Sequence, residues 1–142
     1  MKKTMGLVAI VFILGTAIFA QNNGAIVVPT AVKTALNSKY PESHSYYITW
    51  EKEKGNYEAN WGGKDGEANS VLFTPKSEFI EIVKAIPSSE LPKPVLTYIA
   101  AHYKGAKLGD LGKVSDAKGR TSYEVEIHGK DVIFDENGNF VK

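Results

Sequence analysis

The chain has 142 residues, and its 17 basic and 16 acidic side chains give a formal net charge of +1 at neutral pH. This balance offers no electrostatic footprint for nucleic acid or for an anionic membrane surface. The sequence contains no cysteine, which excludes a small fold held by disulfides, so the domain must depend on its hydrophobic core.

The N-terminal segment has the pattern of a secretory signal peptide. Lys2 and Lys3 precede an uncharged, apolar run from Met5 to Ala20 that is short for a membrane span. We predict cleavage after Ala20, so that residues 1–20 are the signal peptide. An uncleaved anchor is the alternative, because Ile18 is bulkier than the residue usual at that position. Residues 21–142 are then expected to be exported, periplasmic or secreted, as a single domain without a membrane segment.

Two segments have the apolar spacing of amphipathic helices. Pro29 suits the start of the first helix, and Pro41 ends it. Gly105 lies just past the end of the second helix, where a C-terminal glycine is common. The two predicted apolar stripes consist of Val32, Ala35, Leu36 and Tyr40 in the first helix and Val95, Tyr98, Ile99 and His102 in the second.

The segments "YYITWEKE", "NYEANW" and "SYEVEIH" alternate between apolar and polar residues. Such alternation is typical of an antiparallel sheet with one face under a helix and one face in water. Turn signals divide the strands at 54–56, 62–67, 117–120 and 136–139. The aromatic residues predicted to lie on the covered face are Tyr46, Trp50, Tyr57 and Trp61.

Three pairs of segments recur in the same order along the chain. The helix "VPTAVKTALNSKY" matches "LPKPVLTYIAAHY", the strand "NYEANW" matches "SYEVEI", and "VLFTPKSEFI" matches "VIFDENGNFV". This order predicts two repeats, about 28–86 and 91–142, each made of a helix and a β-meander. The expected fold is therefore α+β, with both helices on one face of a curved antiparallel sheet.

The segment "FDENGNF" near the C-terminus has the acidic and amide residues of a calcium loop, but also those of a hairpin turn. Its counterpart "FTPKSEF" in the first repeat has Thr, Lys and Ser in their place, which are poor calcium ligands. The two segments share a tight turn between apolar residues, so we predict that Asn137 and Gly138 form a hairpin turn. No metal or other cofactor is expected.

These landmarks together resemble the PepSY-like family of exported bacterial proteins. They are the "KYP" at the end of the first helix, "ITWEKEKGNYEANW", "ELPKPVLTYIAAHYKG" and the closing "YEVEI" and "VIFDENGNFV". The resemblance covers residues 28–142 and implies a fold related to the β-lactamase inhibitor protein. It also implies tandem α/β units and a curved sheet whose open face binds another protein.

No pattern of catalytic residues is recognisable, so the protein is not expected to be an enzyme. The histidines His44, His102 and His128 lack metal-ligand spacing, and we expect His102 to pack at the sheet edge. Glu58, Glu124 and Glu126 could serve acid–base chemistry if buried, but on an open face we expect them to be solvated.

We therefore predict a non-enzymatic module that binds another envelope or secreted protein through its open sheet face, with inhibition or modulation of that protein as one form of this role. The residues predicted for this face are Tyr47, Thr49, Glu51, Glu58, Asn60, Glu124 and Glu126. An exposed tyrosine such as Tyr47 is a typical interface anchor. The alternative is a carrier or sensor of a small ligand, with Trp50 and Trp61 lining a cavity between helix and sheet.

Overall fold

The structure is a computed structural model that describes residues 25–142, so the predicted signal peptide lies outside the described residues. Within this range, seven strands form one antiparallel sheet whose spatial order is the same as the chain order. No helix of residues 25–142 is long and apolar enough to cross a membrane. The elements are α1 (Thr30–Lys39), β1 (Thr49–Glu53), β2 (Asn56–Trp61), β3 (Asn69–Phe73), β4 (Phe79–Ala85), α2 (Lys93–His102), β5 (Leu108–Asp116), β6 (Thr121–Ile127) and β7 (Lys130–Asp135).

Each helix follows a proline and lies on the sheet with its predicted stripe. Val32 and Leu36 of α1 are buried, as are Val95 and Ile99 of α2. Both helices contact the same face of the sheet, because the register links the two cores: Ile82 pairs with Ser115, Ser115 pairs with Thr121, and Thr121 lies on the same face of β6 as Val125. The core under α1 contains Tyr57, Ala59, Trp61, Val71, Phe73 and Ile82, and the core under α2 contains Val125, Ile127, Val132 and Phe134. The α+β class and the antiparallel sheet are thus observed.

Two side chains lie elsewhere than predicted. His102 is exposed, and its ring stacks on the ring of Tyr98 with 4.0 Å between centroids. Tyr98 contacts the buried Phe134 and so fills the position toward the sheet, which leaves His102 outside it. Tyr46, predicted to be in the core, is 52% exposed, because β1 begins only at Thr49 and the alternation does not extend back to it.

The two loops that the sequence aligned have the same hydrogen-bond pattern. In residues 74–78, the backbone N–H of Thr74 donates to the carbonyl of Glu78, and the Thr74 hydroxyl oxygen accepts from two backbone N–H groups of the loop. In residues 135–139, the N–H of Asp135 donates to the carbonyl of Asn139, and the Asp135 carboxylate accepts from two loop N–H groups. Phe134 and Phe140 pair across this loop, and the N–H of Gly138 donates to the carbonyl of Asp135, so the segment is a hairpin turn, as predicted. Tandem duplication of the chain remains a prediction.

The third residue after the start of each loop has a positive φ, which is 70° at Ser77 and 82° at Gly138. Serine is strained in this region and glycine is not. We expect Ser77→Gly to raise the free energy of unfolding by about 0.5–1 kcal/mol and Gly138→Ser to lower it by at least about 1 kcal/mol. A side chain at 138 would also meet Pro94 Cβ at 3.1 Å. Urea denaturation checks both variants, and a less stable Ser77→Gly protein would contradict the loop conformation.

Candidate functional site on the acidic face of the sheet

The strand register places the carboxylates of the sheet on the face opposite the helices. Glu51 pairs with Glu58, Glu81 with Asp116, and Glu126 with Asp131, each pair directly across neighbouring strands. Like charges in directly opposed positions destabilise a sheet, and here three such pairs occur on one face. We call this surface the acidic face; its carboxylates are Glu51, Glu53, Glu58, Glu81, Asp116, Glu124, Glu126 and Asp131.

Lysines of the same strands lie on the other face. Lys52 pairs with Tyr57, and its ammonium nitrogen lies 3.5 Å from the centre of the Tyr57 ring on the helix side. Lys84 and Lys113 face each other across β4 and β5, and Lys130 pairs with the core residue Ile127. The sheet is therefore polarised in charge, although the chain as a whole is nearly neutral. This separation gives the acidic face a negative potential that the net charge conceals.

The centre of the acidic face is buried, although neither helix covers it. Glu124 is 6% exposed and Glu81 is 5% exposed, and the apolar neighbours Leu72, Val83 and Ile133 are also buried. Residues of the β2–β3 loop line the same cavity as Glu124 and so restrict its access to solvent. The expectation that the carboxylates are solvated is therefore wrong for Glu124. It is wrong in part for Glu58, which is half-buried.

Burial raises the pKa of several of these carboxyl groups, because a charge in a poorly solvated site is unfavourable. Desolvation, with added repulsion from neighbouring carboxylates, raises the pKa of Glu124 to about 9. The same two causes raise the pKa of Glu58 and of Glu81 to about 7 and that of Asp131 to about 6. Near neutral pH, Glu124 therefore carries a proton in the unbound protein, and Glu58 and Glu81 are near the midpoint of their titration.

Asp116 differs from the other carboxylates because Arg120 neutralises it. Nε and Nη2 of Arg120 both lie 2.6 Å from Oδ2 of Asp116, and these contacts, with backbone N–H groups, hold the pKa of Asp116 below its usual value despite some desolvation. By contrast, Oε1 of Glu81 and Oδ2 of Asp131 are buried and have no hydrogen-bond partner. The face thus presents acceptors that the described part of the chain leaves unused.

A cavity of about 250 Å³ opens on this face, between β6 and the β2–β3 loop of residues 62–68. We call it the Glu124 cavity. Small residues lie beside Glu124 and leave space for the floor of this cavity. Gly112 pairs directly with Glu124, and Ala85 pairs with Gly112 on the next strand. A side chain at 112 could not be accommodated, because its Cβ would lie 2.6 Å from Cγ1 of Val83. Glu126, Asp131, Asp110 and Glu67 add carboxylates to the wall, and Lys64 adds one positive charge.

The strand residues predicted for partner binding share this face, but they differ in accessibility. Tyr47 is 86% exposed and precedes β1, and Thr49 and Glu51 are exposed on the edge strand. Asn60 is buried, and its Oδ1 accepts a hydrogen bond from the Ser70 hydroxyl, so it is not free for a partner. Glu58 lies between Glu51 and Leu72 rather than beside Glu124, because three strands separate β2 from β6.

Four contributors to the site were missed from the sequence: Glu53, Glu81, Asp131 and Gly112. Glu81 stands in the apolar run "FIEIV", and an acidic residue inside such a run is itself a signal of a buried carboxylate. Asp131 follows a two-residue turn at His128 and Gly129, both with positive φ, which places it opposite Glu126. Neither position can be assigned to a face until the turn before it is known.

The tryptophans of the carrier alternative lie in the core under α1. Trp61 is 1% exposed, and the centroid of its ring lies 5.7 Å from that of the Tyr40 ring. Trp50 is half-buried and packs against the same cluster. Neither lines the Glu124 cavity, nor a second cavity of about 650 Å³ beside α2 and Phe140. Among residues 25–142, no group of three or more His, Cys, Asp or Glu side chains has the geometry to hold a metal ion.

Comparison with solved structures shows a shared fold. A "putative periplasmic" protein from Bacteroides eggerthii is 21% identical, with a TM-score of 0.69 over 82% of this chain and 88% of that one. A DUF2874 family protein from Bacteroides uniformis is also 21% identical, with a TM-score of 0.68 over 82% of this chain and 88% of that one. A BLIP-like protein from Bacteroides fragilis is 24% identical, with a TM-score of 0.63 over 84% of this chain and 87% of that one.

A search of curated proteins finds no significant match to this chain. The family model described as "Putative beta-lactamase-inhibitor-like, PepSY-like" matches residues 57–142, which is more than half of the chain and includes β3 to β7 and all of β2 except its first residue. The chain therefore belongs to the PepSY-like, beta-lactamase-inhibitor-like family.

Proposed function

We propose that the protein is an exported, non-enzymatic module whose acidic face binds a basic surface of another envelope or secreted protein. The observation that carries this proposal is two directly opposed carboxylate pairs, Glu51 with Glu58 and Glu126 with Asp131, that form no ion pair within residues 25–142. A sheet that needed only to be stable would not place like charges opposite each other, and departures from such rules are expected where a surface has a function. A cationic partner would neutralise these pairs on binding.

Exposure divides the acidic face into two zones with different roles. Glu51, Thr49 and Tyr47 lie at the accessible edge near β1, where charge speeds encounter and a tyrosine supplies contact area. Glu81 and Glu124 lie in the buried centre, where a hydrogen-bond donor from a partner would form favourable bonds with acceptors that are otherwise unpaired. The inhibitor-like family description is consistent with capture of a protein, and the periplasmic description of one structural relative with export.

A pair of charge-reversal variants tests the proposed face. The protein with Glu51→Lys and Glu126→Lys is expected to lose its partner, at least about tenfold in affinity, because both substitutions turn attraction into repulsion. The matched control carries Glu42→Lys and Glu90→Lys, which make the same change in net charge at exposed sites next to the helices. Glu124 is left intact, because a lysine at that buried position would destabilise the fold.

The measurement is chemical cross-linking in the native cell envelope, followed by mass spectrometry. The wild type and the control are expected to recover the same basic protein, and the acidic-face variant is not. Equal recovery by both variants would contradict the proposal, because any binding surface would then lie elsewhere. A carrier role is not proposed, since both tryptophans on which it depended pack in the core.

A further inference from the structure

The size and walls of the Glu124 cavity restrict what can enter it. Pockets for small-molecule ligands usually have volumes of about 300–1,000 Å³, and this cavity is smaller, at about 250 Å³. Its walls combine carboxylates with the aliphatic side chains of Ala68, Ala85 and Leu111. Such walls suit one long side chain that has an apolar stem and a charged end.

Two carboxyl groups in this cavity have acceptors that nothing in the described chain uses. Glu124 is more than nine-tenths buried, and no hydrogen bond or ion pair within residues 25–142 involves its carboxyl group. Oδ2 of Asp131 is buried and also lacks a partner. Lys64 lines the cavity but forms no ion pair with another described residue. Within the described residues, the cavity therefore lacks a cation that is paired with these carboxyl groups.

An arginine side chain supplies what the cavity lacks. Its guanidinium group has five N–H donors in a planar fork that matches carboxylates, and it is less strongly hydrated than a lysine ammonium group. We propose that the Glu124 cavity binds the guanidinium group of one arginine that the partner protein presents. Glu124 and Asp131 accept its hydrogen bonds, and Ala85 and Leu111 contact the stem. This inference rests on the proposed function and specifies its central contact.

Proton release accompanies binding at this site. Burial raises the pKa of Glu124 to about 9, so its carboxyl group is protonated in the empty cavity at neutral pH and must lose the proton to pair with guanidinium. Affinity is therefore expected to rise with pH, by about tenfold or more between about pH 6.5 and about pH 8.5 for one released proton. The charged groups that surround Glu124 are Glu53, Glu58, Glu81, Asp110, Glu126 and Asp131 on the strands and Lys64, Asp65 and Glu67 in the β2–β3 loop.

The test uses N-acetyl-arginine methylamide as the probe, with the citrulline analogue as a neutral control of the same shape. In a nuclear magnetic resonance titration of the protein, the arginine probe is expected to shift the amide signals of Gly112, Glu124 and Asp131. The dissociation constant should be on the order of 1–10 mM. The citrulline analogue is expected to leave these signals unchanged. Glu124→Gln and Asp131→Asn, each near-isosteric with the wild-type residue, should each weaken binding at least about fivefold.

Three results would overturn the inference: no shift with the arginine probe, equal shifts with citrulline, or shifts at the same amides with millimolar calcium chloride but not with arginine. The titration and the cross-linking test can fail separately, so a failure of this inference is distinguishable from a failure of the proposed function. If the arginine probe does not bind but cross-linking recovers the partner, the acidic face is still the docking surface. Only the contact between an arginine and the Glu124 cavity is then excluded. If the arginine probe binds but cross-linking recovers no protein, the proposed function is contradicted, and the Glu124 cavity still stands as an arginine-binding site.

Discussion

Replacement of Trp61 by alanine is expected to lower the free energy of unfolding by about 3–5 kcal/mol, the usual cost of truncating a large buried aromatic residue. Trp61 is 1% exposed at the end of β2, in the cluster that joins α1 to the sheet. Loss of its ring removes the contact with Tyr40 and leaves a void under the helix. For a domain of this size, the melting temperature should fall by more than about 10 °C.

Trp50→Ala provides the matched control for this prediction. Trp50 is half-buried on the edge strand β1 and packs against the same cluster, so the expected loss is smaller, about 1–2 kcal/mol. Urea denaturation of both variants gives the comparison. If Trp61→Ala were no more destabilising than Trp50→Ala, Trp61 would not be the packed centre of the first half.

The second large effect is a dependence of stability on pH that Glu124 imposes. The pKa of this carboxyl group is raised to about 9 in the folded protein from an ordinary value of 4.5. Between these values the folded state holds a proton that the unfolded state releases, so the free energy of unfolding falls as pH rises through this window. The stabilisation is fully present below about pH 4.5 and is lost as pH approaches about 9.

Glu124→Gln is expected to remove much of this dependence, because glutamine resembles the protonated acid and cannot ionise. At about pH 8 the variant should be about 1–2 kcal/mol more stable than the wild type, and at about pH 5 the two should be equal. Glu90→Gln, at an exposed site beside α2, serves as the control and should show no such difference. Parallel pH dependence in the wild type and Glu124→Gln would mean that Glu124 is not buried as described.

The sequence was sufficient to predict both helices, the alternating strands and the face on which most of their residues lie. Apolar stripes at helical spacing located α1 and α2, and strict alternation placed Glu58, Glu124 and Glu126 on the face away from the helices. Such patterns are local, and the covalent geometry of a strand or helix determines them. His102 and Tyr46 were placed wrongly because each lies at the end of an element, where alternation no longer fixes the direction of a side chain.

Burial on the acidic face was not predictable in this way. The low exposure of Glu124 depends on the small residues beside it, Gly112 and Ala85, and on the β2–β3 loop, which come from three other parts of the chain. Their proximity follows from the register between strands. The bulge between Leu108 and Leu111 interrupts that register, and it cannot be read from a single strand.

The strict chain order of the strands has a consequence for how the protein folds. Every strand pairs with its neighbours in sequence, so most closures within each half span a short turn, and contacts between residues near in sequence favour rapid folding. The pairing of β4 with β5 is the exception, because the segment that contains α2 separates these strands. Closing this longer loop costs more chain entropy than closing any of the turns. We therefore expect the two halves to form early and the β4–β5 seam, with Lys84 opposite Lys113, to close last.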